Sequence, residues 1–106
     1  MDRLYRLNLL LDFYGALLTD HAREYLRLRV EEDMSLQEIA DSFGVSRQAV
    51  HDSVSRSEKQ LAEYEEKLSL IARFEQLKHS VNLCEEKLRT AEEALKEARD
   101  IINELD

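Results

Sequence analysis

The chain has 106 residues, of which 36% are charged, and its net charge is −8. Two glycines and no proline leave too few turn-forming residues for a β-sandwich, so the composition favours an all-α fold in one small domain with an appended helix. A single cysteine excludes an internal disulfide framework. Because no stretch resembles a signal peptide or reaches membrane-spanning length, we expect a cytoplasmic protein.

Two helices are predicted at the N-terminal end, and they form the scaffold that carries the next two helices. Residues 3–18 are apolar around most of a helix, which is typical of a central bundle helix or of half an oligomer interface. Gly15 inside it marks either the close approach of another backbone or the weak point of this helix. Thr19 or Asp20 caps a second helix over about residues 21–31.

The stretch SLQEIADSFGVSRQAVHDSVSRS, residues 35–57, predicts a helix, a sharp turn and a second helix. Ser35 and Glu38 have the spacing of a capping box, in which each residue bonds the backbone N–H of the other. Gly44 can take the left-handed conformation that ends the first helix, and Ser46 can cap the second.

Three positions indicate that these two helices form a helix-turn-helix motif. Ala40 is small enough to let the helices cross closely, Gly44 makes the turn, and Val50 packs the second helix against the first. The alternative is any pair of amphipathic helices joined at a glycine corner.

The C-terminal part predicts a long amphipathic helix. An apolar series alternates spacings of three and four residues, which makes a heptad pattern. Its members are Phe74, Leu77, Val81, Cys84, Leu88, Ala91, Leu95, Ala98, Ile102 and Leu105. The preceding helix is expected to run through Leu68, and its apolar series is out of phase with the heptads. We therefore expect a bend or break at that slip or at residues 79–82, with domains at residues 1–70 and 71–106.

The heptad seam is unlike that of a strong two-stranded coiled coil, because three of its five d positions are small. Cys84 is expected to be one of these small buried residues. Such a helix either folds back on its own domain or pairs with a second chain in a dimer.

The negative charge is concentrated away from the second helix of the motif. Residues 61–106 carry twelve acidic and seven basic side chains, so five of the eight net negative charges lie there. A phosphate-binding surface on the second helix would still be sparse, and it promises only weak, strongly salt-dependent duplex binding. Its cations are Arg47, Arg56 and Lys59, offset by Asp52 and Glu58.

Two resemblances are carried by these residues. The segment from LTDHAREYL to SRSEKQL resembles region four of bacterial sigma factors, which contacts promoter elements with its second helix. More closely, DFYGALLTD, SLQEIADSFGVSRQAV and EYEEKL resemble the YlxM-like family of small bacterial proteins. The likeness covers about residues 4–72 and fades after Phe74, where a proline-containing break of other members is missing. It implies a helix-turn-helix DNA-binding or regulatory protein associated with the signal recognition particle pathway.

Outward residues of the second helix are the candidate nucleic-acid contacts. Arg47 can pair with guanine O6 and N7, Gln48 with adenine N6 and N7, and Ser46 can bond a phosphate at the helix N-terminus. The alternative is that Arg47 and Gln48 are simply solvated helix formers. The full set is Ser46, Arg47, Gln48, His51, Asp52, Ser55, Arg56 and Lys59.

No catalytic arrangement, cofactor motif or metal-ligand spacing is found, so we expect neither an enzyme nor a metal site. The first hypothesis is a nucleic-acid-binding regulatory protein. The alternative is an interaction module that does not bind DNA and contacts signal recognition particle RNA or its targeting GTPase, partly through the acidic tail. A third is a purely structural homodimer.

Overall fold

The computed structural model describes residues 3–105, and every regular element in that range is helical. The all-α helix-turn-helix fold class predicted from the sequence is confirmed. The elements are α1 (Arg3–Tyr14), a 3₁₀ turn (Gly15–Leu17), α2 (Asp20–Val30), α3 (Leu36–Phe43), α4 (Arg47–Leu68) and α5 (Leu70–Glu104). The chain divides into two compact units: the first extends to Ile71 and the second begins at Ala72.

The first helix is shorter than the predicted span of residues 3–18. It ends at Tyr14, and the 3₁₀ turn begins at Gly15, which is therefore the weak point of the helix. A Cβ at Gly15 would lie 3.2 Å from Cδ1 of Leu11 and 3.7 Å from Cδ of Arg23 in α2, so the nearest neighbour here is a side chain of α1 itself. Of the two expected caps for α2, Thr19 is the one used, because its side chain accepts a hydrogen bond from Ala22 N–H.

The turn between α3 and α4 forms as predicted. The Ser35 hydroxyl accepts from Glu38 N–H at 3.0 Å, and the Glu38 carboxylate accepts from Ser35 N–H at 3.0 Å, which completes the capping box. Those hydrogen bonds from Ser35 lower the pKa of Glu38. Gly44 ends α3 in the left-handed conformation, with φ 66° and ψ 35°, and Ser46 caps α4 by accepting from Ala49 N–H at 3.0 Å.

The core of the first unit lies where α1, α2 and α3 pack against α4. Ala40 and Val50, the two residues predicted to let α3 and α4 cross, are both fully buried. The other fully buried apolar residues of this core include Leu26, Ile39 and Leu61. Burial of these side chains holds α4 in place, so its opposite side is free to face solvent.

The break between α4 and α5 lies at Ser69, which has φ 54° and ψ 30°. Tyr14 and Glu65 fix this corner. The Tyr14 hydroxyl donates to the Glu65 carboxylate and accepts from Leu70 N–H at 3.1 Å, while the same carboxylate oxygen accepts from Ile71 N–H at 3.0 Å. The two side chains therefore supply acceptors for N–H groups at the start of α5, which have no helical partner.

The second unit consists of α5 from Ala72 onward. The break expected as an alternative at residues 79–82 is wrong, because α5 is continuous there. Cys84 is exposed, so its predicted burial is wrong for the single chain. Its neighbours along the heptad series are exposed as well, since the large apolar side chains of that series keep between 46% and 82% of their accessible surface.

Candidate nucleic-acid interface

One side of α4 packs into the core and the other faces solvent. Val50, Val54, Ser57 and Leu61 repeat at helical spacing and are buried. All eight residues predicted as nucleic-acid contacts are exposed, and seven of them lie along α4 with Ser46 as its cap. We call these eight the α4 outer face: Ser46, Arg47, Gln48, His51, Asp52, Ser55, Arg56 and Lys59.

The N-terminal end of α4 offers hydrogen-bond donors to an anion. The Ser46 hydroxyl oxygen is occupied by Ala49 N–H, but its own hydrogen is free to donate. The N–H groups of Arg47 and Gln48 belong to the first turn, where no preceding helical carbonyl is available. These exposed donors and the positive end of the helix dipole favour a phosphate oxygen at this position.

Gln48, His51 and Asp52 form a local polar cluster on the α4 outer face. The Gln48 side-chain amide donates to the Asp52 carboxylate at 2.8 Å, and His51 Nδ1 lies 3.5 Å from the same oxygen. Asp52 repels phosphate, so we interpret it as a residue that orients Gln48 rather than as a direct contact. One amide hydrogen and the carbonyl oxygen of Gln48 remain for a base edge.

The cations of the α4 outer face are not neutralised by neighbouring acids. The side chains of Arg47, Arg56 and Lys59 form no ion pair or hydrogen bond with another residue in the described range 3–105. Glu58, expected to offset them, pairs with Arg3 of α1: Arg3 Nη2 lies 2.9 and 2.7 Å from the two carboxylate oxygens. The expected competition from Glu58 is therefore reduced.

Two further arginines border this surface, and neither was predicted as a site residue. A cleft of about 290 Å³ runs beside His51 and Ser55, and its lining includes Arg3 and Arg29. The Arg29 guanidinium is exposed and donates to the Met34 carbonyl at 3.1 Å. Nothing in the sequence near residues 3 or 29 indicates this position, because both arginines reach it only through the packing of α1 and α2.

His21, which lies on α2, takes no part in the α4 outer face. His21 stacks on Tyr25, with ring centroids 5.9 Å apart, and also contacts Phe43. Within residues 3–105, no group of three His, Cys, Asp or Glu side chains is arranged to hold a metal ion. No helix in the same range has an apolar stretch long enough to cross a lipid bilayer.

Comparison with known proteins gives one consistent family. A family model described as "UPF0122: Putative helix-turn-helix protein, YlxM / p13 like" matches residues 1–101. A UPF0122 protein of Halalkalibacterium halodurans is 48% identical over 96% of this chain and 98% of its own length. A second, of Exiguobacterium sibiricum, is 51% identical over 74% of each chain, and a third, of Bacillus cereus, is 38% identical over all of this chain and 96% of its own. The chain therefore belongs to the UPF0122 family of YlxM-like helix-turn-helix proteins.

Proposed function

We propose that this protein is a nucleic-acid-binding regulatory protein that contacts duplex DNA with the α4 outer face. The observation that carries this proposal is the exposed position of Arg47, Arg56 and Lys59 on the second helix of the motif, with no acidic partner among the described residues. In helix-turn-helix proteins this helix enters the major groove and its N-terminal residues contact base edges.

The roles of the individual residues follow from their places on α4. Arg47 and Gln48, in the first turn, are the base-contacting pair, through two hydrogen bonds each. Ser46 donates to a phosphate at the helix N-terminus, and Arg56 and Lys59, farther along, contact the backbone. His51 and Ser55 lie between these two groups and add polar contacts at the centre.

Such an interface binds weakly and depends strongly on salt. If the three cations of the α4 outer face each neutralise one phosphate, log K should fall with log salt with a slope of about −3. If Arg47 contacts a base instead, the slope falls to about −2. Either value is small beside that of strongly basic DNA-binding proteins, so binding is expected only at low ionic strength.

The test begins with selection of a preferred duplex from a random library at low salt, followed by anisotropy titration of the selected sequence. Arg47→Ala should weaken binding by about 5- to 150-fold, the equivalent of about 1–3 kcal/mol for a paired base contact. Arg89→Ala, which removes an exposed arginine of α5, serves as the matched control and should leave affinity unchanged. Equal affinity of Arg47→Ala and wild type would refute the proposal.

A second candidate function is that of an interaction module in the signal recognition particle pathway, with the particle RNA or its basic targeting GTPase as partner. The acidic balance of residues 61–106 favours a basic protein partner, and the pathway is the one that the resemblance to the YlxM-like family implies. Neutralising Glu92 and Glu93 to glutamine in the full-length protein should weaken binding to the GTPase and leave duplex DNA binding unaffected. If both bindings are unchanged, the acidic segment has no such role.

Two finer features belong to the same proposal. We place the protein in the cytoplasm, where its nucleic-acid or particle partner is found and where the exposed Cys84 thiol stays reduced. We also propose a homodimer, because the heptad series of α5 is exposed in the single chain.

A further inference from the structure

The second unit presents a continuous apolar seam along α5. We define the α5 seam as the heptad positions that are exposed from residue 81 onward: Val81, Cys84, Leu88, Ala91, Leu95, Ala98, Ile102 and Leu105. Leu88 keeps 62% of its accessible surface, and Leu105 keeps 82%. Soluble proteins rarely leave so long a row of large apolar side chains in water, so the seam is expected to bind a partner.

Large and small residues of the α5 seam are sorted by heptad position. The a positions are all branched aliphatic residues, Val81, Leu88, Leu95 and Ile102, whereas three of the four d positions are Cys84, Ala91 and Ala98. In a parallel pair each d residue meets its own copy, so three layers would join small residues and leave gaps. In an antiparallel pair a meets d, so every small residue meets a large one and the layers fill evenly.

We propose that the α5 seam binds the α5 seam of a second copy of this chain in antiparallel orientation. The proposal rests on the homodimer proposed above and gives it a geometry, and it does not depend on nucleic-acid binding. The helices align so that Cys84 lies opposite Ile102 of the second copy and Ala91 opposite Leu95 of the second copy.

Charges beside the seam select this register. It places Glu85 opposite Arg99 of the second copy, and the symmetry repeats this attractive pair. One like-charge contact, between Glu92 and its own copy, lies at the centre. Lengthening the overlap by one heptad would instead place Glu85 opposite Glu92 and Lys78 opposite Arg99 of the second copy. The symmetry repeats each of these like-charge pairs, so all four flanking contacts become repulsive.

Other registers are poorer for different reasons. Shortening the overlap by one heptad removes the layers that contain Val81 and Cys84, and so buries less apolar surface. Lengthening it by two heptads leaves Leu105 without a partner on α5 and places Ile102 opposite the first residue of that helix. It also adds a second like-charge contact, between Lys87 and its own copy. Ala94, which lies beside the seam, meets its own copy in the proposed register, and its small side chain permits a close approach.

Cys84 allows orientation and register to be measured separately. A disulfide requires two Cα atoms within about 7 Å. In the proposed register the two Cys84 residues are separated by about 27 Å along the helix, since eighteen residues rise about 1.5 Å each. Ile102→Cys places a second thiol opposite Cys84 of the other copy, whereas Leu95→Cys, the matched control, places it one heptad away.

The experiment combines sedimentation equilibrium over a range of concentrations with oxidation in a glutathione redox buffer, followed by mapping of the linked peptides. We expect a concentration-dependent dimer, no Cys84–Cys84 link in wild type, and efficient linkage of Cys84 to the introduced thiol only in Ile102→Cys. A Cys84–Cys84 link in dimeric wild type would show parallel pairing and overturn the proposal. Preferential linkage in Leu95→Cys, or none in a dimeric Ile102→Cys protein, would overturn the register.

Sedimentation separates this proposal from the others. A monomer at every concentration would overturn both the antiparallel pairing and the homodimer, including the case in which α5 binds only its own chain. The DNA titration with Arg47→Ala contains its own control and would be unaffected by that result.

Discussion

Replacing Gly44 tests the turn on which the whole motif depends. Gly44 has φ 66°, a conformation that costs an L residue about 1–2 kcal/mol. A Cβ added there would have no neighbour within 4 Å, so no steric clash adds to this backbone penalty. We therefore expect Gly44→Ala to lower the free energy of unfolding by about 1–2 kcal/mol, and Gly44→Asn to lower it by less, because asparagine tolerates the left-handed region.

Tyrosine fluorescence is a suitable signal for this measurement. The four tyrosines all precede Ile71, and the chain has no tryptophan, so urea unfolding followed by tyrosine emission reports the first unit without the long helix α5. A loss of about 1 kcal/mol shifts the midpoint by roughly 0.3–1 M urea for a protein of this size. A Gly44→Ala protein as stable as wild type, or one that loses more than about 3 kcal/mol, would refute the geometry assigned to this turn.

Three further changes test other parts of the first unit by the same unfolding measurement. Tyr14→Phe should lower the free energy of unfolding by about 1–3 kcal/mol, because it removes a buried hydrogen bond to a carboxylate and the acceptor of Leu70 N–H. The control is Tyr25→Phe, which should change stability little, because the Tyr25 hydroxyl forms no hydrogen bond with another described residue. Ser69→Gly should stabilise by up to about 1 kcal/mol, because it relieves a left-handed serine; no gain would contradict the conformation assigned to this corner. The pKa of Glu38 is lowered in the folded protein, so its capping contribution to stability is fully present above its ordinary pKa near 4.5 and is lost as the pH falls through the lower folded-state pKa. The free energy of unfolding, measured from pH 6 to pH 3, should therefore fall more in wild type than in Glu38→Gln. Parallel profiles for the two proteins would exclude this contribution.

Local features of this fold could be predicted because their chemistry is contained in a few consecutive residues. A serine followed three residues later by glutamate predicts a capping box, and the structure contains both of its hydrogen bonds. A glycine between two amphipathic series predicts a left-handed helix end, and Gly44 adopts it. The exposure of the α4 outer face is then expected, since burial of Val50 and Leu61 fixes which side of α4 points away from the core.

Features that depend on distant residues could not be predicted. Arg3 and Glu58 are 55 positions apart, and their pairing arises only when α1 packs beside α4. Tyr14 and Glu65 are 51 positions apart, and they stabilise a helix break at a serine that has no preference for left-handed backbone. The exposure of Cys84 could not be predicted for another reason: a heptad pattern indicates which side of a helix is apolar, but it does not indicate which chain covers that side.

Backbone NMR during addition of the selected duplex DNA tests the central claim most directly, because it locates the contact without any substitution. At low salt we expect the amide signals that shift most to lie between Ser46 and Lys59, and the shifts to disappear as salt is added. Shifts confined to α5, or no shifts at DNA concentrations that saturate the anisotropy signal, would contradict the assignment of the α4 outer face as the nucleic-acid interface.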